Sequence, residues 1–164
     1  MRVPMLAMGD GVGETVDVLE ENIQNIDLAP TFLEIAGAPI PEEFDGESFR
    51  ALLAGDEVTA WRDTIYYEYF WERPFPQTPT VHAVRTPQYK YIRYHGLWDL
   101  NELYDIQNDP NEMNNLIRDP EYAPIAKQLR NSLFQWLEST GGNQMYLRND
   151  GKGARFDHGY RGTF

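Results

Sequence analysis

The spacing of hydrophobic positions changes twice along the chain. Leu28, Phe32 and Ile35 recur at i, i+4 and i+7 between Asp27 and Gly37, with Pro30 in the first turn. This predicts a helix that opens at Asp27, whose carboxylate can cap free N–H groups, and stops at Gly37. A connector rich in Pro and Gly follows at 38–48, and then a second short helix around Ser48–Ala54 that ends at Gly55. From residue 64 the period falls to two. In TIYYEYFW (64–71), Ile65, Tyr67, Tyr69 and Trp71 share one face while Tyr66, Glu68 and Phe70 share the other. TVHAVRT (80–86), YKYIRYH (89–95) and ELYDI (102–106) read as three more strands, joined by connections short enough for antiparallel hairpins. The prolines of ERPFPQTP (72–79) exclude a central strand there. A helical period returns from about Pro120 to Thr140, where Ile125, Leu129, Leu133 and Leu137 step by fours beside Trp136. Asp119 is placed to cap this helix and Gly141 to end it. An apolar stripe of that length needs a sheet to cover, so the fold class is α+β: a four-stranded antiparallel meander packed by a long C-terminal helix.

The ends are less regular. Val3–Met8 is a short apolar run containing Pro4, readable as a strand end or edge. GDGVGET (9–15) lacks both a GK[ST] ending and the G-x-G-x-x-G spacing, so it reads as a surface loop. After the long helix the chain is rich in glycine and without period; Tyr146, Phe156, Tyr160 and Phe164 suggest that it lies along another surface. The run ELYDIQNDPNEMNNL (102–116) is dense in carboxylates and amides. It contains no glycine and so cannot be an EF-hand loop. Asp109 and Glu112 instead have capping-box spacing around Pro110, which predicts the start of a helix at Asp109.

Composition narrows the chemistry. At 164 residues, 41% hydrophobic and 13% aromatic, the chain has enough apolar surface for one domain with a core. A net charge of −12 argues against nucleic acid as a partner. Absence of cysteine excludes disulfides, zinc thiolates and thiol nucleophiles. No apolar run approaches the ~20 residues of a membrane-spanning helix. The charge is unevenly spread: from Arg73 to Trp98 there is no Asp or Glu, while Arg73, Arg85, Lys90 and Arg93 fall there with His82 and His95. Such a segment can accept an anionic ligand on an otherwise acidic protein. His95 and His158 carry no motif and are expected at the surface.

Taken in order, NIDLAPTFLEIAG (25–37), the linker PIPEEFDGESF, AVRTPQYKYIRY (83–94), ELYDIQNDPNEMNNL and the amphipathic helix resemble the C-terminal part of a type I, formylglycine-dependent sulfatase of the alkaline-phosphatase-like superfamily. The resemblance runs from about Arg2 to Gly142 and is similar in flavour to bacterial N-acetylglucosamine-6-sulfatase-like enzymes. It implies a domain plan of 1–37 as a strand–helix remnant of an α/β catalytic domain, 38–59 as linker, 60–142 as the C-terminal subdomain and 143–164 as an irregular tail.

In that family a formylglycine made within a C/S-x-P-x-R motif attacks the sulfate ester, and calcium steadies the sulfate oxygens. Neither the motif nor the paired aspartates occur in this sequence. Calcium and formylglycine are therefore expected in an N-terminal domain outside the sequence, and the chain alone is expected to be inactive. What it is expected to supply is a cleft wall and contacts to a sulfated glycan through His82, Arg85, Lys90, Glu72 and Arg73. Its other expected partner is the catalytic domain, or a second copy, against residues 1–37. The resemblance implies a periplasmic or secreted location for the parent enzyme. The alternatives are a stand-alone module binding acidic glycans through the acid-free segment, or a protein-interaction domain.

Overall fold

A computed structural model describes residues 3–14, 18–72, 77–95 and 101–143. The chain falls into two compact units, Met1–Asp63 and Thr64–Phe164.

The second unit is the predicted meander. Strands β1 (Ile65–Tyr69), β2 (Thr80–Arg85), β3 (Tyr89–His95) and β4 (Glu102–Asp105) pair antiparallel in the order β1-β2-β3-β4. The helix α3 (Ala123–Thr140) follows a 3-10 turn at Pro120–Tyr122. Asp119 accepts a hydrogen bond from the Glu121 N–H at 3.0 Å, and Gly141 closes the helix with φ of 77°. Glycine carries no Cβ and takes this left-handed conformation without strain.

Period-two alternation gives the sheet two faces. Facing α3, the register lines up Tyr66, Val84, Tyr91 and Leu103 as a row across all four strands. Val84, Tyr91 and Leu103 are buried against Leu129, Leu133 and Leu137 of α3, and these six residues form the core. Each such side chain contributes about 1.5–3 kcal/mol by leaving water. At the margin of the core, Tyr66 and Trp136 stack with ring centroids 4.6 Å apart and planes 5° from parallel. The Tyr66 hydroxyl shares a hydrogen bond with Ser132 at 2.8 Å.

Beyond β4, Asn115 Oδ1 accepts the N–H groups of Leu103 and Ile117, and the Leu116 N–H donates to the Leu103 carbonyl. The outer edge of β4 is thereby closed. No helix starts at Asp109. Its carboxylate accepts the N–H of Asn114, five residues on, and Glu112 takes a left-handed φ of 56° that a helix cannot continue. The carboxylates and amides of 102–116 build consecutive turns instead, with Asp105 accepting the N–H groups of Gln107 and Asn108.

The first unit contains a 3-10 turn, Asn25–Asp27, and the helices α1 (Leu28–Ile35) and α2 (Arg50–Ala54). Asp27 does not cap α1. It is fully buried, and its carboxylate accepts the N–H of Gln24 at 2.7 Å, the N–H of Glu47 at 2.9 Å and the Arg62 guanidinium at 2.7 and 2.8 Å. Thr31 Oγ1 donates to the Asp27 carbonyl and accepts from the Phe49 N–H. Within the stretch 38–59, Phe49 and Leu52 at the short helix are buried, while most of the other residues are exposed. Val3–Met8 forms no strand, and Leu6 and Met8 stand essentially fully in solvent. The stripe expected on α1 is open as well, with Phe32 and Ile35 more than half exposed. No helix among the described residues is long and apolar enough to cross a membrane.

Candidate functional site

The acid-free segment folds as the hairpin β2–β3. Its turn is fixed by Thr86, whose N–H donates to the Tyr89 carbonyl while its Oγ1 accepts the Tyr89 N–H at 3.0 Å. That turn sets Arg85 directly opposite Lys90 on the face turned away from α3. Two cations side by side repel, and the fold answers by bringing in a carboxylate: the left-handed Glu112 forms an ion pair with Lys90. Lys90 Nζ also lies 5.6 Å from the centroid of the Tyr104 ring. The Tyr104 hydroxyl donates to Glu102 Oε2 at 3.1 Å. Burial, with the Glu102 charge and hydrogen bond next, pushes the Tyr104 phenol up to about 12. This end of the sheet thus presents one cation committed to a carboxylate, Lys90, beside Arg85, above a tyrosine that stays neutral.

His82 lies on the opposite face. It is fully buried beneath α3, with Nδ1 2.9 Å from His95 Nε2 and the Phe70 ring edge-on at 5.3 Å. A donor so placed does not reach a surface sugar hydroxyl. His95 is likewise buried rather than exposed, because it shares strand parity with Tyr91 and Arg93 and so turns towards the helix. Glu72 is exposed just beyond β1, near the Thr80 end of the sheet, and Arg73 lies outside the described residues. Thr80 and Arg85 are separated by five residues of strand, roughly 16 Å. The four described residues of the predicted five therefore do not form one cluster. Arg85 and Lys90 come together, His82 is buried behind them, and Glu72 sits at the other end.

The same register disperses the positive charge of the segment. Arg93 faces α3, with its guanidinium 5.7 Å from the Phe134 ring and Nη1 donating to Asn101 Oδ1. Sequence reasoning missed Glu112 and Tyr104 as the partners of Lys90. A bulky residue at positive φ has no local signal, and the pairing spans 22 positions. Among the described residues no three His, Cys, Asp or Glu gather as a metal-binding group.

Comparison with known proteins supplies the frame for these observations. The family model described as N-sulphoglucosamine sulphohydrolase, C-terminal, matches residues 1–139. The chain is 37% identical over 129 residues to an N-acetylglucosamine-6-O-sulfatase of Bacteroides thetaiotaomicron, covering 77% of this chain and 22% of that protein. It is 30% identical over 151 residues to a Delta 4,5-hexuronate-2-O-sulfatase of the same organism, covering 90% of this chain and 31% of the relative. Among solved structures, a putative sulfatase of B. thetaiotaomicron superposes with a TM-score of 0.66 at 30% identity, covering 76% of this chain and 27% of that one. A structure in complex with its substrate D-glucosamine-2-N,6-O-disulfate superposes with a TM-score of 0.62 at 33% identity, covering 73% and 24%. The chain spans under a third of the length of each of these proteins.

Proposed function

Because the chain belongs to the N-sulphoglucosamine sulphohydrolase C-terminal family, we propose that it is the C-terminal portion of a sulfatase that hydrolyses sulfate esters on a glycan. In this reading it supplies a wall of the cleft and contacts to the substrate, while the formylglycine and calcium site belong to an N-terminal catalytic domain. The observation that carries the reading is the 37% identity to an N-acetylglucosamine-6-O-sulfatase across 77% of the chain. Arg85 and Lys90 are the residues to meet an anionic group, with Glu112 holding Lys90 until an anion replaces it. Glu72, at the other end of the sheet, and Arg73 are the further residues assigned to the substrate. Residues 1–37 are the surface for the catalytic domain or, in its absence, for a second copy.

Two measurements test this. The purified chain is expected to release no product from an aryl sulfate or from N-acetylglucosamine 6-sulfate; release above blank overturns the division of labour. An antibody to α3 is expected to detect, in the cells that make the protein, a band well above 19.0 kDa that carries sulfatase activity when captured. An inactive band at 19.0 kDa overturns the reading.

A further inference from the structure

Next to the apolar row on the helix-facing side of the sheet runs a polar one. Glu68 of β1 pairs across with His82 of β2, and His82 with Arg93 of β3. Glu68 Oε1, His82 Nε2 and Arg93 Nε are buried and have no hydrogen-bond partner among the described residues. His95 completes the group through its contact with His82. Phe134 of α3 covers it, edge-on to His95 with centroids 6.5 Å apart and over Arg93, and Gly142 backs directly onto Glu68 Oε1. Unspent hydrogen-bonding capacity in a dry interior is costly, so the cluster is a weak point in the packing of the helix.

We propose that the buried His82–His95 pair is an acid-released latch, which fastens the C-terminal half of α3 to the sheet while the pair holds no more than one excess proton and opens when a second is forced upon it. The contact itself sets that limit. At 2.9 Å one facing nitrogen must carry hydrogen and the other a lone pair. Neutral rings satisfy this, and so does a single imidazolium donating to a neutral partner. Two imidazolium rings place hydrogen on both facing nitrogens and bring like charges together.

Among the described residues, the charged groups that face the pair include Glu68 from β1, Arg93 from β3 and, beside Phe134, Arg130 of α3. Burial first, and the His95 charge second, push His82 from its ordinary 6.5 down to about 4. Between those values the unfolded chain binds a proton that the folded chain refuses, so docking of α3 is at full strength above about pH 6.5 and weakens as pH falls towards about 4. Burial raises the Glu68 carboxyl, which acts in the opposite sense: the folded chain takes up that proton at a higher pH than the unfolded chain does.

Hydrogen exchange of the full chain between about pH 7.5 and about pH 5, corrected for intrinsic rates, tests the latch. One proton refused by the folded state predicts that α3 protection falls about tenfold per pH unit below about pH 6. His82→Gln keeps a polar side chain but takes no proton, and its α3 profile is expected to be flat. A flat wild-type profile, or an equal slope in His82→Gln, overturns the proposal. Should that variant fail to fold, the imidazole resonances of the wild type decide, because the chain has only three histidines. One ring of the pair titrating while the other stays silent upholds the latch. Two rings titrating near 6.5 with α3 still protected overturns it.

Discussion

Asp27 and Lys90 are both ion-paired, and their surroundings give the two pairs very different weight. Asp27 is fully buried and its partner Arg62 is only 18% exposed; two backbone N–H groups share the same carboxylate. Asp27→Ala leaves two backbone donors unpaired and the guanidinium held only by the exposed Glu47 at 3.4 Å, so a loss of about 3–5 kcal/mol is expected. Trp61, whose Nε1 donates to the Asn22 carbonyl in the same unit, is placed to report it by fluorescence in urea. The Lys90–Glu112 pair is partly solvated, with 36% of the Glu112 side chain exposed. Lys90→Ala is expected to cost under about 1 kcal/mol. Equal losses from the two substitutions would show that burial does not set the strength of either pair. Asp105 illustrates competition within one group: burial alone would raise its carboxyl, but hydrogen bonds from Asn108, Gln88 and Gln107 outweigh it and hold the group below the usual range. Its stabilising contribution is present above the unfolded carboxylate value and is lost as pH falls through the lowered one.

At the scale of elements, α3 and the sheet depend on each other. An isolated helix of 18 residues is marginal in water, and it persists because Leu129, Leu133 and Leu137 are buried against Val84, Tyr91 and Leu103. Leu133→Ala is expected to cost about 2–5 kcal/mol, read as a lower urea midpoint of the second unit. An unchanged midpoint would mean that the helix is held by something other than this stripe. These elements were legible because local propensity and tertiary demand agree: the aromatic and β-branched run from Tyr89 to His95, between Pro87 and Gly96, gave β3 its bounds, and the steps of four gave α3 its buried face. Legibility ended where a distant partner overrides local chemistry. Asp27 has the type and position of a cap, yet Arg62 and Glu47 claim its oxygens. Asp109 has capping-box spacing, yet Glu112 turns left-handed to meet Lys90 from 22 residues away. His82 and His95 each follow strand parity, but their contact depends on the hairpin register.

For the molecule as a whole, charge and apolar exposure pull in opposite directions. Leu6, Met8, Phe32 and Ile35 of the first unit are exposed to water, while a net charge of −12 keeps copies apart. Self-association is therefore expected to be weak at low ionic strength and to strengthen towards about 0.15 M salt, where charges farther apart than about 8 Å are screened. Sedimentation velocity across that range checks it, and Phe32→Ser with Leu6→Ser should lower the sedimentation coefficient at the higher salt. A chain that stays monomeric throughout would leave those side chains without the role given to residues 1–37. The Tyr66–Trp136 stack has a consequence of another kind. Two aromatic rings fixed 4.6 Å apart and nearly parallel have coupled optical transitions, and one ring belongs to the sheet while the other rides on the helix. Their joint near-ultraviolet dichroism is a built-in gauge of the distance between the two layers, readable in the unlabelled protein.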